Sequence, residues 1–117
     1  MRLNAYNLRR SWEVVLHPEV ISWLDSQSDS DYSLIRDALE ALHMAGPNLG
    51  RPFVDRLKGS KFHNLKELRP RSSQIRLLFA FDPERSAIVL VAGDKTNYWN
   101  IWYRKNIPIA EERYAEH

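Results

Sequence analysis

The chain has 117 residues, no cysteine and a formal charge of +2 at pH 7. Its length fits a single domain, 1–117, and the lack of cysteine excludes disulfides and thiolate metal sites. The four histidines lack metal-ligand spacing, so we expect no metal and no cofactor. No segment approaches about 18 unbroken apolar residues, which predicts a cytoplasmic protein without membrane contact. A net charge this small does not indicate nucleic acid, so any basic patch must come from local clustering.

The first half of the chain predicts a flexible leader, one strand and two helices. Residues 1–10 carry three arginines and little apolar pattern, which is typical of a leader. A strand is expected from about Trp12 to Leu16, and Pro18 can start a first helix. A second helix begins near Ser28–Ser30, where Asp and Ser supply caps, and ends at Gly46-Pro47. The apolar stripes of this helical hairpin are Val20, Ile21 and Leu24, then Ile35, Ala38, Leu39 and Leu42.

Residues 47–63 predict a loop, because two glycines and Pro52 prevent a long helix. The segment is the most basic window of the chain. Its cations are Arg51, Arg56, Lys58 and Lys61. They could extend a phosphate-contacting surface, and a solvated charged loop fits the composition equally well.

Residues 64–95 predict a meander of three antiparallel strands, because β-branched and aromatic residues crowd segments of strand length. The turns are 71–74 and 82–85. Tight turns would pair positions whose numbers sum to about 145 across the first turn and to about 167 across the second. One face of the meander, which the helical hairpin would cover, is then Leu68, Ile75, Leu77, Phe79, Phe81, Ile88, Leu90 and Ala92. The other face, predicted to be open, holds Glu67, Arg69, Arg76, Leu78, Ala80, Ala87, Val89 and Val91.

A cluster of cations is predicted on the open face. The register places Arg69 opposite Arg76, and like charges in a cross-strand pair are unfavourable by up to about 1 kcal/mol. An anion between them would reverse the sign, so the pair indicates an anion site. Lys95 follows the third strand on the same face, and Arg71 lies in the adjacent turn. The alternative is that both arginines lie flat on a solvated sheet beside Glu67.

The C-terminal segment predicts a helix rich in aromatic residues. Tyr98, Trp99, Trp102 and Tyr103 follow Lys95 at helical spacing, and most of their surface is expected in the core. Tyr98 could instead stack on an unpaired base beside Lys95. Pro108 is expected to end this helix, with Asn106 capping a short second one.

The order strand, two helices, meander and C-terminal helix resembles the RelE/ParE superfamily, and more closely its HigB-like branch. The resemblance covers Trp12 to the C-terminus and rests on the segments GRPFVDRLKGSKFHNLKELRP, IRLLFAFDPERSAIVLVAGDKT and NIPIAEERYAEH. It implies an α+β, RelE-like fold. In that fold a small antiparallel sheet, made of one N-terminal strand and the meander, is covered by the helical hairpin and followed by a C-terminal helix.

The resemblance also implies the toxin of a type II toxin-antitoxin system, acting as a metal-independent, ribosome-dependent mRNA endonuclease. Its partners would be mRNA on the ribosome and a cognate antitoxin, a helix-turn-helix DNA-binding protein. The family's cationic positions fall on Arg69, Arg76 and Lys95, and its aromatic acid-base candidate would be Tyr98 or Tyr103.

The expected reaction is attack of the RNA 2′-hydroxyl on the adjacent phosphate. Arg69 and Arg76 would stabilise the phosphorane, because arginine holds two phosphoryl oxygens and stays charged. Lys95 would be an acid, or a base if the arginines lower its pKa. Glu67 would compete as base or orient Arg69. The predicted catalytic residues are Arg69, Arg76, Lys95, Glu67 and Tyr98, and the predicted RNA-binding residues are Arg71, Lys66, Lys58, Lys61 and Arg56.

Two other functions stay open at this point. The same fold supports ParE-like toxins that bind DNA gyrase and cut nothing, and it supports non-catalytic modules that bind RNA or a partner. We also expect the antitoxin to contact residues 1–10 and the first helix, with Trp23 as an exposed anchor because it falls off the predicted stripe.

Overall fold

A computed structural model describes residues 11–60, 62, 64–96 and 99–117. The predicted leader at 1–10 and the site candidates Lys61 and Tyr98 lie outside these residues. The elements are β1 (Glu13–Leu16), α1 (Pro18–Asp25), α2 (Asp29–Ala45), β2 (Val54–Arg56), β3 (Leu65–Leu68), β4 (Ile75–Phe81), β5 (Ser86–Asp94) and α3 (Trp99–Glu116). No helix in these ranges is long and apolar enough to cross a membrane.

The predicted α+β architecture is confirmed, with a five-stranded sheet in the order β1-β5-β4-β3-β2. The sheet is mixed rather than wholly antiparallel, because β1 pairs with β5 in parallel. The segment predicted as a loop at 47–63 contains β2, which is antiparallel to β3. Three residues between Pro52 and Gly59 are too short a run for a strand pattern to show in the sequence.

The helical hairpin of α1 and α2 packs on one face of the sheet. His17 Nδ1 accepts a hydrogen bond from Glu19 N at 3.1 Å, and Ser28 Oγ accepts one from Asp31 N at 3.2 Å, so side chains cap both helices. Val20 is buried and Trp23 packs against the core, whereas Ile21 is 48% exposed. The predictions of Ile21 in the core and of Trp23 as an exposed anchor were therefore wrong, because the residues of α1 that face the core are Val20, Trp23 and Leu24.

The sheet is buried on both faces. The core under the helical hairpin includes Val20, Ile35, Ala38, Leu42, Leu68, Ile75, Leu77, Phe79, Ala87 and Val89. The core under α3 consists of Leu65, Leu78, Ala80, Ile88, Leu90, Val91, Ile107 and Ala110. The face predicted to be open is thus covered by α3.

The β3–β4 register is the predicted one, with Leu68 opposite Leu77. The β4–β5 register differs from the predicted one. Phe79 pairs with Val89, Leu78 pairs with Val91, and the pairing shifts between Leu78 and Phe79. Ile88 and Leu90 therefore face α3, and Ala87 and Val89 face the hairpin, the reverse of the prediction.

The turn between β4 and β5 explains this error. Asp82 N donates to Ser86 O at 2.9 Å, which leaves three residues in the loop, and Arg85 has a positive φ of 66°. Three-residue hairpins of this kind require a left-handed residue and displace the register of a two-residue turn. The register shift further along β5 restores the predicted alternation of side chains between the two faces of the sheet. Gly93 therefore lies opposite Arg76, and Lys95 keeps its predicted face.

Helix α3 continues through Pro108, and the predicted break there was wrong. Proline removes one backbone donor, but side chains tie this helix to the sheet and to the loop before β3. Arg113 Nη1 donates to Leu90 O at 2.7 Å, and Ser60 Oγ donates to Glu111 Oε2 at 3.1 Å. Asn106, predicted as a cap, donates through Nδ2 to Trp102 O at 2.9 Å.

The indole of Trp102 lies against Gly93, and this contact explains the glycine in β5. A Cβ at position 93 would lie 2.6 Å from Trp102 Nε1. Gly93→Ala should therefore lower the free energy of unfolding by about 1–3 kcal/mol through overpacking. Gly50→Ala is the control, because a Cβ at position 50 would have no described atom within 4 Å apart from its chain neighbours. Urea denaturation of both variants checks this, and equal midpoints would contradict it.

Candidate functional site

A cleft of about 410 Å³ lies between the β2–β3 end of the sheet and the first turns of α3. Four cationic and two acidic side chains line the cleft. The lining residues are Asp55, Arg56, Leu57, Lys58, Glu67, Arg69, Lys95, Asn100 and Tyr103. Of the predicted site residues, the cleft brings together Glu67, Arg69, Lys95, Arg56 and Lys58.

The carboxylate of Glu67 is the centre of this cleft. Strand alternation directs it toward α3, in the row of Leu65, and it is only 3% exposed. Its Oε2 accepts hydrogen bonds from Arg69 Nε at 3.1 Å and Nη2 at 2.8 Å, and its Oε1 accepts one from the Tyr103 hydroxyl. Arg76 Nε lies 3.8 Å from the same Oε1. The anion expected between the two arginines is therefore a side chain of the protein itself.

Arg69 joins two carboxylates that lie opposite each other on β2 and β3. Its Nη2 is 2.8 Å from Glu67 Oε2 and 3.3 Å from Asp55 Oδ2. Burial works to lower the pKa of Arg69, but its hydrogen bonds to Glu67 and the charges of both acids outweigh this and raise it. The pKa of Asp55 is lowered, chiefly by the hydrogen bond from Arg56 N. The Arg69 side chain is 37% exposed, so a bound molecule can reach its guanidinium.

Arg76 lies behind the cleft and not on an open face, since α3 covers it and only 8% of the residue is exposed. Its Nη1 donates to Ser73 O at 3.1 Å and to Ile75 O at 2.7 Å. Its buried Nε has no hydrogen-bond acceptor among the described residues. A buried donor without a hydrogen bond costs free energy, and the charge of Glu67, with its Oε1 3.8 Å away, offsets part of that cost.

Lys95 and Tyr103 form the wall of the cleft on the α3 side. The Lys95 Nζ lies 5.9 Å from the centroid of the Tyr103 ring. Burial lowers the pKa of Lys95, and the charge of Arg76 lowers it further, while Glu67 opposes both effects. Burial raises the pKa of Tyr103, and the hydrogen bond and charge of Glu67 add to the shift. The hydroxyl of Tyr103 therefore stays protonated.

Two predicted RNA-binding residues do not line the cleft. Lys66 lies opposite Phe79 on the face under the helical hairpin. Arg71 is exposed, with its guanidinium 5.1 Å from the centroid of the Phe53 ring. Asp55 and Asn100 line the cleft and were not predicted. Asp55 was recognisable only as the acid within a basic window, and Asn100 only by its place one turn before Tyr103.

The described ranges contain no group of three His, Asp or Glu side chains arranged to hold a metal ion.

The fold resembles three solved structures at low sequence identity. These are the isolated RelE toxin of E. coli (TM-score 0.60, 12% identity, 81% of this chain and 98% of that chain), the archaeal RelE-RelB complex from Pyrococcus horikoshii OT3 (0.58, 18%, 74% and 98%) and the YoeB dimer from Staphylococcus aureus (0.53, 16%, 68% and 91%). At these identities the likeness shows the fold alone. The chain has the RelE-like fold.

Sequence relatives identify the family more closely. The family model described as "Phage derived protein Gp49-like (DUF891)" matches residues 22–115. The chain is 49% identical over 100 residues to "Putative toxin HigB3" of Mycobacterium tuberculosis, covering 86% of this chain and 88% of the relative. It is 46% identical over 101 residues to "Putative toxin HigB2" of the same organism, covering 84% of this chain and 50% of the relative. The chain belongs to the Gp49-like family, which confirms the resemblance to the HigB-like branch of RelE/ParE.

The opposing charges around Lys95 give a test of the geometry of the cleft. Glu67 raises the pKa of Lys95 and Arg76 lowers it. The pKa of Lys95 should therefore fall in Glu67→Gln and rise in Arg76→Gln, relative to the wild-type protein. An NMR titration of the Lys95 side-chain carbons, assigned with Lys95→Arg, measures both shifts. A shift of the same sign in both variants would mean that altered burial, and not charge, controls this lysine.

Proposed function

We propose that this protein is the toxin of a toxin-antitoxin pair and that it cleaves mRNA on the ribosome. Membership of the Gp49-like family and the two relatives named as toxins support the first part. The observation that carries the second is the arrangement around Glu67. It holds the guanidinium of Arg69 at the wall of a cleft that also contains Lys95 and Tyr103.

The proposed reaction uses a nucleophile that RNA itself supplies. The 2′-oxygen loses its proton and attacks the adjacent phosphorus, the bond from phosphorus to the 5′-oxygen breaks, and the 5′-oxygen takes up a proton. The products are a 2′,3′-cyclic phosphate and a 5′-hydroxyl. The protein has to orient the reacting atoms, transfer two protons and stabilise the dianionic phosphorane.

Arg69 is the group we assign to the phosphorane. Two of its nitrogens are fixed by Glu67, so its planar guanidinium has a set orientation before any substrate binds. Its exposed fraction leaves it accessible from the cleft. Arg76 lies deeper, and we assign it an electrostatic part, because its charge acts on the cleft without being open to solvent.

Lys95 is the group we assign to proton transfer. Burial and the charge of Arg76 lower its pKa, which makes the neutral amine easier to form, and a neutral amine can accept a proton in one step and return it in the next. Glu67 is a poor base in this geometry, because both of its oxygens already accept hydrogen bonds and it is buried. We assign Glu67 and Tyr103 to positioning Arg69.

The partners we propose are mRNA on the ribosome and a separately encoded antitoxin with a helix-turn-helix DNA-binding domain. A substrate of this kind places the protein in the cytoplasm. The solved archaeal relative is a RelE-RelB complex, which supports a protein partner for this fold. A cationic site that cleaves mRNA would arrest growth when uncovered, so a toxin of this kind requires such a partner.

Arg69→Ala should abolish growth arrest and reduce mRNA cleavage by about 10²–10³-fold, because removing one preorganised donor from a charged transition state has an effect of that size. Arg69→Lys should not restore cleavage, since an ammonium cannot reproduce the two-point contact with Glu67. The measurement is primer extension on cellular mRNA after induction, with expression matched by immunoblot and folding checked by circular dichroism.

Arg36→Ala is the matched control for that experiment, because Arg36 is exposed on α2 and lines no part of the cleft. It should cut mRNA like the wild-type protein. Full toxicity of Arg69→Ala would show that the site is misplaced. An SOS response without cuts in mRNA would point instead to a gyrase-directed, ParE-like activity.

A further inference from the structure

A second groove lies beside the cleft, on the other side of Arg69. Its volume is about 520 Å³. The residues that matter for its chemistry are Arg69, Arg71, Ser72, Ser73, Gln74 and Arg76. We call it the Arg71 groove. In contrast to the cleft, it has no carboxylate among the described residues that line it.

Arg71 is held in place by contacts that leave its charge available. Its guanidinium stacks over Phe53, and it forms no ion pair among the described residues. Asp37 faces it across a smaller cavity of about 140 Å³, but the ion pair of Asp37 is with Arg36, at 3.9 Å. The turn that carries Arg71 is fixed by the Ser73 hydroxyl, which donates to Pro70 O at 2.8 Å and accepts from Ile75 N at 3.3 Å.

Arg69 connects the cleft and the groove, because it lines both of them. Arg76 adds a second, buried charge, and its Nε has no acceptor in the described part of the chain. The groove therefore has three cations and no carboxylate among its described lining residues. Arg69 and Arg76 are paired with Glu67 from the cleft side, and Arg71 is the lining cation without an ion pair in the described part of the chain. Such a surface suits a ligand that carries negative charge at more than one point along its length.

We propose that the Arg71 groove binds the phosphate of a nucleotide that flanks the cleaved bond in single-stranded RNA. This inference rests on the proposed function, since it takes the cleft to hold the reacting phosphate. Arg71 lies two residues beyond Arg69, in the turn that follows β3, and both residues line the groove. Arg71 would thus fix the register of the RNA without touching the reacting atoms.

The test compares RNA lengths, using 2′-O-methyl oligonucleotides, which cannot be cleaved. A dinucleotide offers one phosphate, and a hexanucleotide also offers the flanking phosphates. Arg71→Ala should weaken hexanucleotide binding roughly tenfold and leave dinucleotide binding unchanged, because it removes one charged hydrogen-bonding group. The slope of log affinity against log salt concentration should fall by about 0.7 for the hexanucleotide alone. Fluorescence anisotropy at several salt concentrations gives both quantities.

Lys105→Ala is the control, because Lys105 is exposed on α3, lines neither cavity and carries the same charge. It should bind both lengths like the wild-type protein. The proposal is overturned if Arg71→Ala and Lys105→Ala have the same affinity for the hexanucleotide, or if the wild-type protein binds neither length. It is also overturned if Arg71→Ala loses antitoxin binding while RNA binding is unchanged, because the groove is then a protein interface.

The proposed function is tested separately, by measuring the cleavage of mRNA on ribosomes. If the wild-type protein makes no cuts but Arg71→Ala still shows the length-dependent loss, the nuclease assignment fails and the RNA-binding groove stands. If cuts occur and the loss is absent, the groove proposal fails and the nuclease assignment stands.

Discussion

The buried carboxylate of Glu67 is the interaction on which the rest of this structure depends. It joins β3 to Arg69, to Arg76 on β4 and, through Tyr103, to α3. A carboxylate that is 3% exposed is stable only when charged partners and hydrogen bonds replace its water. Removing one member of such a buried cluster typically costs about 3–5 kcal/mol. The position of α3 and the orientation of both arginines are therefore set by the same charge.

The position of Glu67 changes how the cross-strand pair of Arg69 and Arg76 is interpreted. A cross-strand pair of like charges would indicate a vacant anion site if nothing lay between them. Here Glu67 offsets part of their repulsion before any ligand arrives, and Asp55 offsets more at Arg69. The cleft is consequently preorganised rather than strongly attractive, because four cations share it with two acids. Preorganised charge favours stabilisation of a transition state over tight binding of the ground state.

The parts of the fold that could be predicted are those in which local pattern and tertiary contact agree. The pairing of β3 and β4 has the register that a turn at 71–74 predicts, with Leu68 opposite Leu77. The β4–β5 pairing did not follow, because nothing in the sequence marks Arg85 as left-handed in place of glycine. Pro108 predicted a helix end, and only the contacts of α3 with the sheet overcome it. Lys95 was placed correctly although the register was wrong, since the later irregularity in β5 restored the parity.

The cations of the candidate site could be predicted from the sequence, but the burial of its side chains could not. Periodicity shows which face a side chain occupies, but the burial of Glu67 and Arg76 depends on the packing of α3, whose Tyr103 lies 36 residues after Glu67. The separation of Arg71 from the cleft likewise depends on its stacking over Phe53. One arginine, Arg69, then borders two surfaces of different charge balance. In the proposed function Arg69 acts on the reacting phosphate from the cleft, and Arg71 holds the flanking phosphate in the groove that Arg69 also lines.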